Sequence, residues 1–122
     1  GKFGAMRNFR ELEIWKDSID LATEVYQITR TFPDHEKFGL ANQMNRCAIS
    51  IPSNIAEGCR GSNKELIQFL NISLGSSFEL ETQLTIARNL SYVDEVSFGD
   101  LIEIVNNVQK RINAFRSFIL KS

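Results

Sequence analysis

The sequence contains little of what would identify a membrane, secreted or disordered protein. It has two prolines and seven glycines in 122 residues, which argues against a disordered chain. No run approaches the ~18 apolar residues of a membrane helix, and the opening residues lack the continuous apolar segment of a signal peptide. We expect a single cytoplasmic domain over residues 1–122, with residues 1–8 as a leading segment that is partly a cloning remnant.

An excess of charge of either sign is also absent. Fourteen basic and fifteen acidic side chains give a net charge of −1. A protein that binds phosphate groups without sequence preference usually carries a basic excess. The balance therefore argues against general nucleic-acid binding, although it leaves room for a small basic patch.

Candidate catalytic and metal-binding groups are scarce. A carboxylate-bridged di-metal bundle needs two Glu-x-x-His motifs, whereas this chain has one histidine, His35, which we place in a solvated turn. Cys47 and Cys59 have no evident histidine partner. On one helix they would lie about 18 Å apart, too far for a disulfide. No Gly-x-Ser-x-Gly nucleophile motif occurs. We predict no catalytic residue, no metal site and no cofactor.

Apolar residues recur every three or four positions through most of the chain, which is the period of an α-helix. The pattern predicts helices over residues 9–31, 35–57 and 62–89, and a fourth that is capped by Asp94 or Ser97 and reaches Ile119. Because the connections are short, we predict an all-α fold: an antiparallel up-down four-helix bundle.

The first helix carries two apolar seams. One contains Leu12, Trp15, Ile19, Ala22, Tyr26 and Thr29, and the other contains Ile14, Leu21, Val25 and Ile28. A helix on the surface of a protein needs only one such stripe. The pair indicates burial on two sides, inside the bundle and against another subunit. The alternative is a single wide stripe.

The second helix combines an apolar stripe with a polar one. Pro52 lies inside it and predicts a kink, and Gly58 is placed to end it in a left-handed conformation. We predict a polar network with the third helix, in which Arg46 pairs with Glu79 or Glu81 and fixes helix register and subunit contact; the alternative is a ligand cleft. The predicted network comprises Arg46, Ser50, Asn54, Glu57, Glu79 and Glu81.

The third helix begins with a capping box, in which Ser62 is the cap and Glu65 reaches back to it. Its apolar seam is small in the middle, where Ser73, Gly75, Ser76 and Ser77 follow one another. Glycine inside a helix is costly. We expect the close approach of a neighbouring helix to offset this cost.

Two basic groups are candidates for phosphate or RNA contact. Arg60 and Lys64 flank the turn before the third helix, whose N-terminal N–H groups favour an anion. The alternative there is a plain capped helical hairpin. Lys110 and Arg111 lie toward the end of the fourth helix, where cations suit the helix dipole. The alternative for that pair is a solvated helix end.

Several segments together resemble a known family. They are Leu12–Lys16, Phe32-Pro33 followed by Glu36, Gln43 and Arg46 leading into Ser50–Gly58, and Leu70–Leu84. With them the chain resembles the small bacterial proteins encoded by intervening sequences in 23S rRNA genes. The resemblance implies a four-helix bundle and a homo-oligomer, with a ring of five copies. It also implies distant kinship with accessory proteins of diversity-generating retroelements, which are basic pentamers that bind nucleic acid. The near-neutral charge departs from those.

These observations together predict a non-catalytic, homo-oligomeric scaffold that presents a surface to a partner. RNA or a protein–RNA complex is the partner that the family's genomic context suggests. A protein–protein adaptor without nucleic-acid binding is the alternative.

Overall fold

Four helices make up most of the computed structural model, which describes residues 7–122. They are α1 (Glu13–Thr29), α2 (Leu40–Gly58), α3 (Asn63–Asn89) and α4 (Glu95–Leu120), with short 3-10 turns at Phe9–Glu11 and Asp34–Glu36. No strand occurs in this described part. The predicted all-α four-helix bundle is confirmed. No helix among residues 7–122 combines the length and apolarity needed to cross a bilayer.

The helices pack in a ring in which each contacts its two neighbours. α1 lies against α2 and α4, and α3 lies against α2 and α4, so α1 and α3 are diagonal to each other. The largest fully buried side chains come from all four helices: Leu21, Val25, Met44, Ile51, Ile55, Leu66, Leu70, Leu80, Leu84, Val105, Ile112 and Ile119. Such burial, at about 25 cal/mol per Å² of apolar surface, is the main force that holds the bundle together.

The second helix starts later than the spacing predicts. Residues 34–36 form a separate 3-10 turn, and the non-helical backbone of Gly39 separates this turn from α2, which begins at Leu40. Glu36 caps the helix from this turn, because its carboxylate accepts the Leu40 N–H at 3.1 Å. Pro52 lies inside α2, which continues to Gly58. The kink at Pro52 stays a prediction.

Carboxylates accept backbone N–H groups at the start of three helices. Ser62 and Glu65 form the predicted capping box of α3, and Asp94 accepts the Ser97 N–H at 2.8 Å at the start of α4. Because these hydrogen bonds favour the charged form, they hold the pKa of Glu36, Glu65 and Asp94 below the usual range. The Tyr92 hydroxyl donates a second hydrogen bond to the Glu36 carboxylate, at 2.9 Å.

Gly58 is the last residue of α2, but its backbone is helical and not in the predicted left-handed conformation. The residue that follows it, Cys59, keeps right-handed helical backbone angles. A Cβ at Gly58 would lie 2.8 Å from the Phe69 Cβ and 3.3 Å from the Leu66 Cα. The lack of a side chain at position 58 therefore allows α2 and α3 to approach closely where the chain turns.

Gly75 does not have the predicted role within the protomer. A Cβ at this position would meet no atom within 4 Å, because Gly75 faces outward from α3. The serines beside it behave as expected, since Ser73, Ser76 and Ser77 are buried. Glycine at an open helix position costs about 1 kcal/mol relative to alanine, and nothing within the described chain offsets that cost.

The two glycine environments give a matched test of the packing. Gly58→Ala should destabilise the protein by about 1–3 kcal/mol, because the new methyl group overpacks the α2–α3 contact. Gly99→Ala is the control: a Cβ at Gly99 meets no atom within 4 Å, so the change should stabilise α4 by up to about 1 kcal/mol. Urea unfolding at one protein concentration measures both. Equal effects of the two changes would contradict the packing described.

The caps predict how stability depends on pH. The folded pKa of Glu36, Glu65 and Asp94 lies below the unfolded one. Their contribution is therefore present at neutral pH and is lost as the pH falls through the folded pKa values. The triple change Glu36→Gln, Glu65→Gln and Asp94→Asn should lower stability at neutral pH and flatten the fall toward acid. Urea unfolding across pH measures this, and an unchanged slope would contradict it.

Candidate functional site

An open apolar groove runs between α1 and α2. It encloses about 610 Å³. Its apolar lining residues are Phe9, Trp15, Ile19, Ala22, Tyr26, Ile49, Pro52 and Ala56. We call this surface the α1/α2 groove. It contains most of one of the two apolar seams of the first helix.

The two seams of α1 have different environments. Ile14, Leu21 and Val25 are buried in the core, whereas 38% of Ile19 and 39% of Tyr26 are exposed. Ile49 extends the exposed surface onto α2, with 43% of its area accessible. The bundle therefore buries one seam and leaves the other partly open. Ala22 and Thr29 of that other seam are buried and Trp15 packs against the core, whereas Ile19 and Tyr26 stay accessible.

Small and rigid side chains shape the α1/α2 groove. Ala22 and Ala56 leave space between the helices, and the ring of Pro52 lies in its wall. Near the start of α1, Phe9 packs edge-on against Trp15 with ring centroids 5.3 Å apart. The polar lining residues are Thr23, Gln27, Arg30 and Ser53, of which Arg30 carries the charge.

A second exposed apolar surface lies on α3. Ile72, Phe78, Ile86 and Leu90 are each 45–52% exposed, and they follow the outward side of the helix together with Gly75. We call this surface the outer face of α3. Sequence reasoning missed this surface because the apolar seam with helical spacing accounts only for the buried side of α3. The available signal was the lack of charge between Glu65 and Arg88, where only Glu79 and Glu81 are ionic.

The polar network between α2 and α3 consists of uncharged groups. The hydroxyls of Ser50 and Ser76 lie 2.8 Å apart, and Asn54 donates to the carbonyl and hydroxyl oxygens of Ser50. The buried Ser73 hydroxyl donates to the Ile51 carbonyl at 2.9 Å. These bonds set the register of α2 against α3.

The charged residues that were predicted to join this network form no ion pair between α2 and α3. Arg46 is exposed, and no ion pair within residues 7–122 joins it to Glu79 or Glu81. Glu81 instead accepts a hydrogen bond from Gln109 on α4 at 2.9 Å. For Glu81 the reason is helix geometry: the five positions from Ser76 to Glu81 rotate the side chain by about 140°, away from α2. Glu57 pairs with Arg60.

The candidate phosphate contacts are partly neutralised within the protomer. Arg60 pairs with Glu57, and Arg111 pairs with Asp17 at 2.8 Å. The capping box takes up the N–H groups of Ser62 and Glu65, so the Glu65 carboxylate already supplies an anion at the start of α3. Lys64 and Lys110 are both exposed. Much of the positive potential expected from these residues is therefore compensated.

The structure does not bring the two basic groups together. Lys64 lies in the first turn of α3. Lys110 is on α4 beside Gln109, which contacts Glu81 much further along α3. Glu81 lies seventeen positions after Lys64 along α3, which corresponds to about 25 Å. A continuous basic stripe does not form from these four residues.

The thiols and the histidine provide no reactive site. Both cysteines are free, and burial raises the pKa of Cys47 and of Cys59, which favours the unreactive thiol. His35 is exposed, and its Nε2 lies 3.3 Å from the Tyr92 hydroxyl. Among residues 7–122, no group of three or more histidine, cysteine or acidic side chains is placed to hold a metal ion.

Comparison with known proteins places the chain in a family. A solved structure from Bacteroides thetaiotaomicron, of a protein with unknown function from the S23 ribosomal protein family, superimposes with a TM-score of 0.79. It shares 21% identity and covers 85% of this chain and 95% of its own, a likeness that shows the fold. No curated protein matches the chain. The sequence profile of the 23S rRNA-intervening sequence proteins matches residues 10–114, and the chain belongs to that family.

Proposed function

We propose that this chain is a non-catalytic, homo-oligomeric scaffold whose copies associate through the α1/α2 groove. The observation that carries the proposal is the open seam of α1. Trp15, Ile19 and Tyr26 line a groove with Ile49 across from them on α2, and the bundle leaves Ile19, Tyr26 and Ile49 exposed. A contiguous exposed apolar surface of this kind marks an interaction site.

The free energy gained by burying the groove alone would not hold two copies together, so we expect an interface larger than the groove. Burying the exposed part of each large side chain in the groove would contribute about 1 kcal/mol. Association costs at least several kcal/mol in lost translational and rotational freedom, roughly 4–15 kcal/mol. A stable contact usually buries about 800 Å² on each partner. The groove would therefore be the centre of a wider contact, with Arg30 at its polar rim.

The ring of five copies and the cytoplasmic location belong to the same proposal. The ring follows from the family resemblance. The location is supported by the two free thiols, since cysteines stay reduced in the cytosol.

For the partner of the assembly, the charges favour a protein over RNA. Arg60 and Arg111 are paired with carboxylates, and Glu65 occupies the N-terminus of α3. We therefore propose an adaptor that binds protein. RNA or a protein–RNA complex is the second candidate, favoured by the family description and by the exposure of Lys64 and Lys110.

Self-association can be tested with one charge placed in the groove. The wild-type chain should be an oligomer at micromolar concentration, and Ile19→Glu should convert it to a monomer. Burying an unpaired carboxylate costs about 3 kcal/mol, or roughly a hundred-fold in dissociation constant. Size-exclusion chromatography with light scattering measures the mass. The matched control is Val96→Glu, which places the same charge on a residue that is 75% exposed in the first turn of α4.

The control should keep the wild-type mass, because an acidic residue in the first turn suits the helix dipole. Circular dichroism should show unchanged helix content in both variants. A monomeric wild-type chain would contradict the proposal, and so would an Ile19→Glu variant with the mass of the wild type.

The choice between the two partner classes can be tested by binding to a structured RNA across salt concentrations. An adaptor should show no binding at low salt. If RNA binds, affinity should fall steeply as salt rises, because neutralised phosphates release counterions. The double change Lys64→Gln and Lys110→Gln should then reduce the salt dependence. Salt-sensitive binding that this variant loses would replace the adaptor with an RNA-binding scaffold.

A further inference from the structure

We propose that the outer face of α3 in one copy fills the α1/α2 groove of the next copy. The inference rests on the proposed self-association and adds which two surfaces meet. The contact is head-to-tail, since each copy offers a groove on one side and the outer face of α3 on another.

The outer face of α3 has the composition of a buried surface. Ile72, Phe78, Ile86 and Leu90 are about half exposed in the protomer, and they extend over nineteen residues, or about 27 Å of helix. Of the two acidic residues in this stretch, Glu81 turns toward Gln109 on α4. Glu79 is then the charged residue of the face.

Gly75 indicates what covers the outer face of α3. A Cβ there would meet nothing within 4 Å, so the protomer has no packing reason for glycine in the middle of a long helix. A glycine flanked by large apolar residues leaves a notch through which another backbone can approach closely.

The charges of the two surfaces are also complementary. Arg30 is the charged residue among those that line the α1/α2 groove, and Glu79 is the charged residue of the outer face of α3. Opposite charges across an interface favour one register and disfavour others. Two grooves packed against each other would instead bring two arginines into the same contact.

The positions of the helices allow one copy to use both surfaces at the same time. Because α1 and α3 are diagonal in the bundle, a copy whose groove is filled still presents its own α3. Repetition of a head-to-tail contact produces a closed ring or an open filament. A groove-to-groove contact would stop at two copies and leave the outer face of α3 uncovered.

Complementation of two broken surfaces tests the pairing. Ile19→Glu breaks the groove, and Ile72→Glu breaks the outer face of α3; each variant alone should be a monomer by light scattering. An equimolar mixture should form one-to-one dimers of twice 13.9 kDa, because the intact groove of one variant meets the intact α3 of the other. Val96→Glu should assemble like the wild type, and circular dichroism verifies that each variant is folded.

The outcomes separate this inference from the proposed function. If Ile19→Glu is monomeric while Ile72→Glu assembles normally, self-association stands and the α3 pairing is overturned. If both variants are monomeric and their mixture stays monomeric, the pairing is also overturned. A monomeric wild-type chain overturns both proposals and leaves the groove to a different protein partner.

A substitution at Gly75 distinguishes an interface from a role within the protomer. The Cβ of a leucine at position 75 would meet no atom within 4 Å, and leucine favours a helix more than glycine does, so the thermal stability of the separated protomer should not fall. The side chain would fill the notch and raise the dissociation constant of the assembly by about ten-fold or more. An unchanged dissociation constant would overturn the proposed approach at Gly75.

Discussion

A bundle of four helices can bury only one side of each helix in its core, and two helices of this chain carry apolar residues on two sides. α1 buries Leu21 and Val25 but leaves Ile19 and Tyr26 accessible. α3 buries its seam and leaves the outer face of α3 accessible. The surplus apolar surface therefore lies on opposite helices of the bundle, and its free energy is recovered only if something covers it.

Several polar groups have defined roles within the protomer. Serines and an asparagine align α2 with α3, and three carboxylates cap helix starts, which lowers their pKa values. Two arginines of the candidate phosphate contacts are paired with acids. Lys64 and Lys110, the other two candidate contacts, are exposed.

The fold and several local details could be predicted from the sequence because they depend on neighbours along the chain. Helical periodicity identified the four helices, and the capping box at Ser62 and the cap at Asp94 are confirmed. The candidate site was harder. The pairing of Arg46 depends on the rotation of two helices about their axes, and the role of Gly58 depends on the distance to Phe69 on the next helix. Neither quantity is encoded in the spacing of residues.

The sequence by itself determined the secondary structure, the seams available for burial and the family, because periodicity, caps and motifs are local properties. Only the tertiary structure decided which seam of α1 stays open, that Gly75 faces outward and that Arg60 and Arg111 are already paired. The physical reason is that burial and pairing depend on the packing of helices distant in sequence. The same apolar pattern can be core or interface until its neighbours are placed.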